Sequence, residues 1–328
     1  MFHADFKVPD YYRDFACKGA SCRRCCCQGW KVTLTRDEYF KLLNRDCSKE
    51  LREKIDAYVG ILPHPTVEEY ARINFDYNGQ CPLRLKNGFC RLQVECGEDS
   101  IASVCRYYPR SPKLVPEPEC CISNSCEWVL ERLIHMNGDL SFSILPLSFS
   151  FEDDEDSQVS GEAYSKLRKK SFGLLTGNRP FEEKLSMLVG KNDFISSEND
   201  SYIIQNLMEV FSRSVSIGFY LDHVQKDCLP FDEMYGKLKE IYPDLDSYFT
   251  KILENHFFYM KYPFLFKGLD VSYAGLCLYY GIYFWMCVLY YNLSSKDIDD
   301  FVDIGSSFFR VLEHSTVYQV IYSLILRK

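Results

Sequence analysis

Five cysteines fall within the eleven residues from Cys17 to Cys27. The run reads Cys17-Lys-Gly-Ala-Ser-Cys22-Arg-Arg-Cys25-Cys26-Cys27-Gln-Gly29-Trp30. Lys18, Arg23 and Arg24 are interleaved with the thiols, so the stretch cannot bury five sulfurs as ordinary apolar groups. The thiols must be bonded to each other or to a metal, and any fold of the chain has to accommodate that bonding.

The chain has 328 residues and sixteen cysteines, thirteen of them between Cys17 and Cys126. The remaining three, Cys228, Cys277 and Cys287, read as buried core thiols. Hydrophobic residues make up 47% of the chain, enough for a core that needs no disulfide staples. The first ten residues contain no apolar run of the signal-peptide kind, which predicts a cytoplasmic protein. In a reducing cytosol a cysteine cluster points to metal more than to disulfides.

Thiolate clusters select zinc or iron–sulfur centres. Structural zinc favours paired C-x2-C knuckles, and Cys22/Cys25 has no second knuckle to match it. Cys17, Cys22 and Cys25 fit the C-x4-C-x2-C spacing of plant-type [2Fe–2S] ferredoxins, but a helix-rich chain is wrong for that fold. The C-x3-C-x2-C spacing of radical enzymes fits in no frame. Cys26 and Cys27 add a geometric expectation. Neighbouring side chains point apart on an extended or helical backbone, so adjacent cysteines should rarely share one small site.

A net charge of −8 argues against general nucleic-acid binding. Residues 1–135 carry 20 Lys+Arg and 19 Asp+Glu, whereas residues 136–328 carry 18 and 27, a balance of −9. An acidic second half suits a cationic partner or substrate, and equally a plain solvated surface. The six histidines show no ligand spacing. Residues 271–295 are uncharged and approach the length of a membrane span. Tyr279, Tyr280, Tyr283, Tyr290 and Tyr291 are scattered through that segment instead of gathering at its ends, so the expectation is a buried helix and no membrane insertion.

Local patterns predict a mainly α protein in two parts. An aromatic lead-in covers 5–16, and the cysteine loop follows. Residues 31–35 alternate as a strand. Thr35-Arg-Asp-Glu38 is a capping box that opens a helix. A second helix over 48–61 stops at Pro63 and Pro65. Residues 72–77 read as a strand before an Asn78-Gly79 turn. Residues 81–90 read as a small hairpin around Asn87-Gly88 that presents Cys81 and Cys90 to one metal. Residues 92–103 should be helical and deliver Cys105, 109–118 should be loop, and Cys126 should open a helix over 127–136.

Residues 137–160, with Ser runs and an acidic block at 152–156, read as a linker. From there on the apolar spacing predicts only helices, at 181–189, 202–219, 232–241, 245–259, 276–293 and 298–326. The expected organisation is a Cys-rich metal-cluster-binding domain with small hairpins over 1–136, the linker, and an all-α domain over 161–328. No G-x-G-x-x-G follows a strand, so a Rossmann-type cofactor loop is absent.

The pattern C-x4-C-x3-C-C-x-G-W at Cys17, Cys22, Cys26, Cys27, Gly29 and Trp30 resembles the flagellin lysine N-methylase family. So do Cys81-Pro82 with Asn87-Gly88-x-Cys90, Cys105-Arg-Tyr-Tyr-Pro-Arg110, and Ser125-Cys126-Glu127 opening a helix. Fainter echoes follow at Asn178-Arg179 and around residues 254–264. The resemblance implies metal ligands at Cys17, Cys22, Cys26, Cys27, Cys81, Cys90, Cys105 and Cys126. It leaves Cys25, Cys96, Cys120 and Cys121 as extra thiols. It also implies an iron–sulfur cluster of the [4Fe–4S] type, S-adenosylmethionine as methyl donor, and flagellin lysines as the acceptors.

The chemistry is coherent with that expectation. A lysine accepts a methyl group only as the neutral amine, yet its ordinary pKa is about 10.4. A methylase must desolvate it or remove its proton. Arg106 and Arg110, on either side of the Tyr-Tyr-Pro run, are candidates for holding cluster sulfurs or the donor's carboxylate, and equally for salt bridges that close the loop. No single residue stands out as the base. The rival expectation is a metal- or electron-carrying binding protein without methylase activity.

Overall fold

A computed structural model describes residues 2–29, 32–149, 161–189, 209, 211–212, 215–223, 231–260, 269–294, 297–314 and 317. In chain order the first elements are β1 (Phe2–Pro9), β2 (Val32–Leu34), α1 (Arg36–Leu43), α2 (Lys49–Tyr58), β3 (Val59–Ile61) and β4 (Ala71–Ile73). Next come α3 (Arg91–Cys96), α4 (Ser103–Tyr107), β5 (Arg110–Lys113), β6 (Glu119–Ile122), α5 (Glu127–His135) and β7 (Phe142–Phe149). The described residues after that are helical: α6 (Gly161–Leu175), α7 (Phe181–Val189), α8 (Val215–Asp222), α9 (Phe231–Ile241), α10 (Leu245–Tyr259), α11 (Leu269–Ser294) and α12 (Asp299–Glu313). The architecture is thus mainly helical with some sheet. Trp30, the acidic block at 152–156, most of 202–214, Cys228 and the end of 298–326 lie outside the described residues.

The chain divides into two compact units. One is Ala16–Pro109, called the loop unit below; the other, the helical unit, joins Met1–Phe15 to Arg110–Lys328.

In the loop unit, a three-stranded antiparallel sheet runs in the order β2-β4-β3. Val32, Leu34, Ala71 and Ile73 supply its buried face. They pack with Leu42 of α1, Leu51 and Ile55 of α2, and Leu83, Leu92 and Ala102. The expected capping box is formed: Thr35 Oγ1 accepts the Glu38 N–H, and Glu38 Oε2 accepts the Thr35 N–H. Glu38 Oε1 also accepts the Ser103 N–H at 2.6 Å, which ties the start of α4 to α1. The expected helix over 92–103 is in fact interrupted. Gly97, at φ +84°, ends α3, and α4 forms separately to carry Cys105.

In the helical unit, a four-stranded mixed sheet has the order β5-β6-β1-β7. β1 pairs antiparallel with β7 from Phe2↔Phe149 to Pro9↔Phe142, and parallel with β6 at Lys7↔Glu119. The lead-in is therefore a strand, with Phe6 and Val8 fully buried and His3 and Asp5 exposed. The expected linker contains β7, and the expected loop at 109–118 begins with β5. Each carries a proline, Pro146 and Pro112. Both strands lie at the sheet's edges, where a missing N–H costs no ladder bond.

α10 is buried on every side, by Phe249, Ile252, Leu253, Phe257 and Phe258 among others. Against it packs α11, whose Tyr279, Tyr280 and Tyr283 are at most 1% exposed. Tyr280 donates to the Ile252 carbonyl at 3.1 Å and Tyr283 to the Phe301 carbonyl at 3.3 Å. A buried tyrosine needs such partners, and a protein core supplies them. Among the described residues no helix is long and apolar enough to cross a membrane.

Candidate metal centre

The site belongs to the loop unit and begins at the turn before β2. A 3-10 turn over Gly19–Ser21 follows Cys17, whose sulfur accepts the Gly19 N–H at 3.4 Å. Beyond Cys25 the backbone turns again and then pairs briefly with 79–81. Cys81 N–H donates to the Cys27 carbonyl at 2.9 Å, Gln28 bridges Gln80, and Gly29 N–H donates to the Gly79 carbonyl at 3.0 Å. This short ladder sets Cys27 beside Cys81. Gly29, at φ +73°, takes a conformation that favours glycine.

Residues 81–90 do turn at Asn87-Gly88, with Arg84 bridging Cys90 and the Leu85 N–H donating to the Phe89 carbonyl at 2.8 Å. Cys81 is not opposite Cys90 in that turn; its ladder partner is Cys27. Gly88 packs so tightly on the preceding loop that a Cβ there would lie 2.8 Å from the Ala20 Cα.

The Sγ atoms of Cys25, Cys26 and Cys27 all lie within 4.8 Å of one another. Three consecutive thiols therefore share one site, contrary to the expectation for adjacent cysteines. The reason is local: residues 26 and 27 form a turn, neither extended nor helical, and the Cys27 N–H folds back to the Cys25 sulfur at 3.3 Å.

Electrostatics extends the group. Cys105 is itself exposed, but desolvation by the atoms packed around its thiol and its neighbours Cys26, Cys81 and Cys90 push it up. Burial likewise raises Cys81, to about 11, with Cys90 and Cys25 adding to it, and burial raises Cys90. Within the triplet, hydrogen bonds from the Cys26 and Cys27 thiols hold Cys25 far below the ordinary thiol range, and the same bonds raise Cys26 and Cys27. Burial thus favours the neutral form of most of these thiols. A bound cation reverses that balance, because it neutralises several thiolates at once.

The donor set fits a soft metal or an iron–sulfur cluster. Three thiols, Cys25, Cys26 and Cys27, come together, Cys81, Cys90 and Cys105 lie in the same unit, and thiolates are the ligands such centres take. Two guanidinium Nε–H groups, of Arg84 and Arg106, are buried with no hydrogen-bond partner among the described residues. Arg84 also stabilises the Cys25 thiolate. Unfilled donors of this kind match the sulfurs of an anionic centre.

The remaining sequence candidates are placed differently. Cys17 is exposed and Cys22 half-buried, in the turn ahead of the triplet. Arg106 pairs with Asp99 at 3.6 Å in the loop unit. Cys126 and Arg110 belong to the helical unit. Cys126 is the N-cap of α5, and Arg110 opens β5 with its guanidinium 4.9 Å from the Phe15 ring centre. Cys25 and Arg84 were not among the expected site residues. The C-x2-C spacing of Cys22/Cys25 and the C-x4-C-x2-C run from Cys17 were the traces of the first, and nothing in the sequence marked the second.

The helical unit has its own buried polar groups. Glu254 of α10, 6% exposed, is grouped with Asp139, Lys184 and Lys251. Lys184 donates to Thr250 Oγ1 at 3.1 Å and Lys251 to the Met136 carbonyl at 2.7 Å. A second network joins the Ser125 Oγ to His314 Nε2 at 2.8 Å and His256 Nδ1 to Glu313 at 2.9 Å.

No known family profile matches the chain, and no solved structure matches it. Curated relatives do. It is 26% identical over 137 residues to proteins named lysine-N-methylase from Salmonella choleraesuis (strain SC-B67) and Salmonella typhimurium (strain LT2). It is 25% identical over 137 residues to the flagellar biosynthetic protein FliU of Salmonella muenchen. Each match covers 39% of this chain. The matched region spans 32% of each lysine-N-methylase and 75% of FliU. The likeness, partial and distant, relates the chain to proteins named for lysine methylation and for flagellar biosynthesis.

Proposed function

We propose that this protein is a lysine methyltransferase that acts in the cytoplasm on flagellin, with S-adenosylmethionine as the donor and an iron–sulfur centre of the [4Fe–4S] type. The observation that carries the reading is the match to relatives named lysine-N-methylase and FliU. The gathering of soft donors in the loop unit supports the metal part. The family pattern puts Cys17, Cys22, Cys26, Cys27, Cys81, Cys90, Cys105 and Cys126 forward as ligands, with Arg106 and Arg110 toward the cofactors.

In the transfer, the lone pair of a neutral lysine amine attacks the donor's methyl carbon. The carbon–sulfur bond breaks, the sulfonium becomes a neutral thioether, and the nitrogen gives up a proton. Both reactants approach as cations, so the acidic balance of residues 136–328 favours their approach. The metal centre, when bound, would tie together the loops that carry the thiols.

The test is intact-mass spectrometry of flagellin from the same source, incubated with anaerobically purified protein and S-adenosylmethionine. The expected result is mass gain in single-methyl steps that disappears when the donor is omitted. No gain with a fully loaded centre and native flagellin overturns the reading. It would favour a metal- or electron-carrying binding protein, a role that fits a loop unit with its own hydrophobic core beneath the gathered thiols.

A further inference from the structure

We infer that Cys25, an extra thiol outside the family pattern, is a ligand of the metal centre and its buried anchor. This rests on the reading that the loop unit binds a metal through its thiolates. Three geometric facts support it. The Cys25 sulfur lies within 4.8 Å of those of both Cys26 and Cys27. Cys25 is 5% exposed, whereas Cys17 is exposed and Cys22 half-buried. The Cys25 sulfur also accepts a backbone N–H, from Cys27 at 3.3 Å, the kind of contact that holds a cluster-ligating sulfur in place.

The surroundings agree. The Arg84 side chain, electrostatically coupled to Cys25, keeps a buried Nε–H without a partner among the described residues. The backbone pairing of Cys81 with Cys27 also brings the loop at 81–90 against the triplet. Cys25 is buried and close to two other thiols. As a ligand it explains why the turn at 26–27 folds three sulfurs inward. The loop unit then offers Cys25, Cys26, Cys27, Cys81, Cys90 and Cys105, more than the four thiolates one cluster takes.

The experiment is metal, sulfide and visible-absorption analysis of the anaerobically purified full chain and two variants, Cys25→Ser and Cys47→Ser. Cys47 lies in the same unit, half-buried and outside the thiol group. Cys25→Ser is expected to lose at least half its metal or, if it stays loaded, to show shifted thiolate-to-metal absorption; Cys47→Ser should match the parent in both. Unchanged metal and an unchanged spectrum in Cys25→Ser overturn the assignment alone. A parent chain without metal overturns it together with the metal reading. Zinc without sulfide overturns the iron–sulfur reading, while the effect of Cys25→Ser on zinc content still decides the ligand.

If Cys25→Ser does not fold, alkylation of the unsubstituted chain decides. Under mildly denaturing conditions, which lift the shielding of the 5% exposed Cys25, bound metal should protect Cys25, Cys27 and Cys81, and chelation should make all three reactive. Cys25 that stays unreactive while Cys27 and Cys81 become reactive overturns the assignment.

Discussion

Glu254 and His314 show how single buried groups of the helical unit couple folding to pH. Burial, with Asp139 adding repulsion, pushes the Glu254 carboxyl from its ordinary 4.5 up to about 8, against the pull of Lys184 and Lys251. The folded state therefore holds a proton that the unfolded chain has lost, and stability falls as pH rises from about 4.5 to about 8. His314 runs the other way. Burial lowers it from 6.5 to about 4, so the folded state stays neutral where the unfolded chain is protonated. Its contribution rises with pH from about 4 to about 6.5. The two slopes oppose each other up to about 6.5, and above that, of these two groups, only Glu254 contributes. Urea unfolding of the chain should show a loss of stability of about 1–2 kcal/mol between pH 6.5 and pH 8. Glu254→Gln, which mimics the protonated acid, should flatten that loss. An equal decline in the variant would assign it to another group.

At the level of elements, turns and caps carry the site. Gly88 sits at φ +88°, and an added Cβ would meet the Ala20 Cα at 2.8 Å and its Cβ at 2.9 Å. Gly79, at φ +69°, has open space around it. Gly79→Ala should cost about 1 kcal/mol of backbone strain. Gly88→Ala should cost more, roughly 2–4 kcal/mol, because the loop at 17–22 must also shift. Gly88→Ala should lower metal content as well; equal losses in the two variants, in thermal unfolding and metal analysis, would mean that this close packing is dispensable. Thr35→Ala, which removes the α1 cap, should cost about 1 kcal/mol and leave metal bound.

The same elements mark what the sequence could reveal. The cap at Thr35, the start of α5 at Cys126 and the full span of α10 are local signals, and they stand where the residues place them. β1 and β7 were missed because their partners are far off in sequence, and Pro146 argues against a strand unless it lies at an edge. The closeness of the Cys25, Cys26 and Cys27 sulfurs was illegible for a related reason. Only the fold of the 26–27 turn shows that neighbouring sulfurs can converge.

For the whole molecule, charge is the property that the sequence distributes most clearly. Residues 136–328 carry a balance of −9, and residues 1–135 are close to neutral. If that excess gathers a sulfonium donor and lysine-bearing flagellin, the attraction acts between solvent-exposed groups and is screened by salt. The Debye length falls from about 30 Å at 0.01 M to about 8 Å at 0.15 M ionic strength. The methylation rate at subsaturating flagellin should therefore fall several-fold across that range. Metal content should not change, because direct thiolate–metal bonds would not be screened as attraction between exposed charges is. The pairing separates two explanations of a salt effect. A rate that falls with constant iron and sulfide points to steering by the acidic residues. A rate that falls together with metal content points to damage at the thiol centre. A rate independent of salt would leave the acidic excess as a solvated surface with no part in bringing the reactants together.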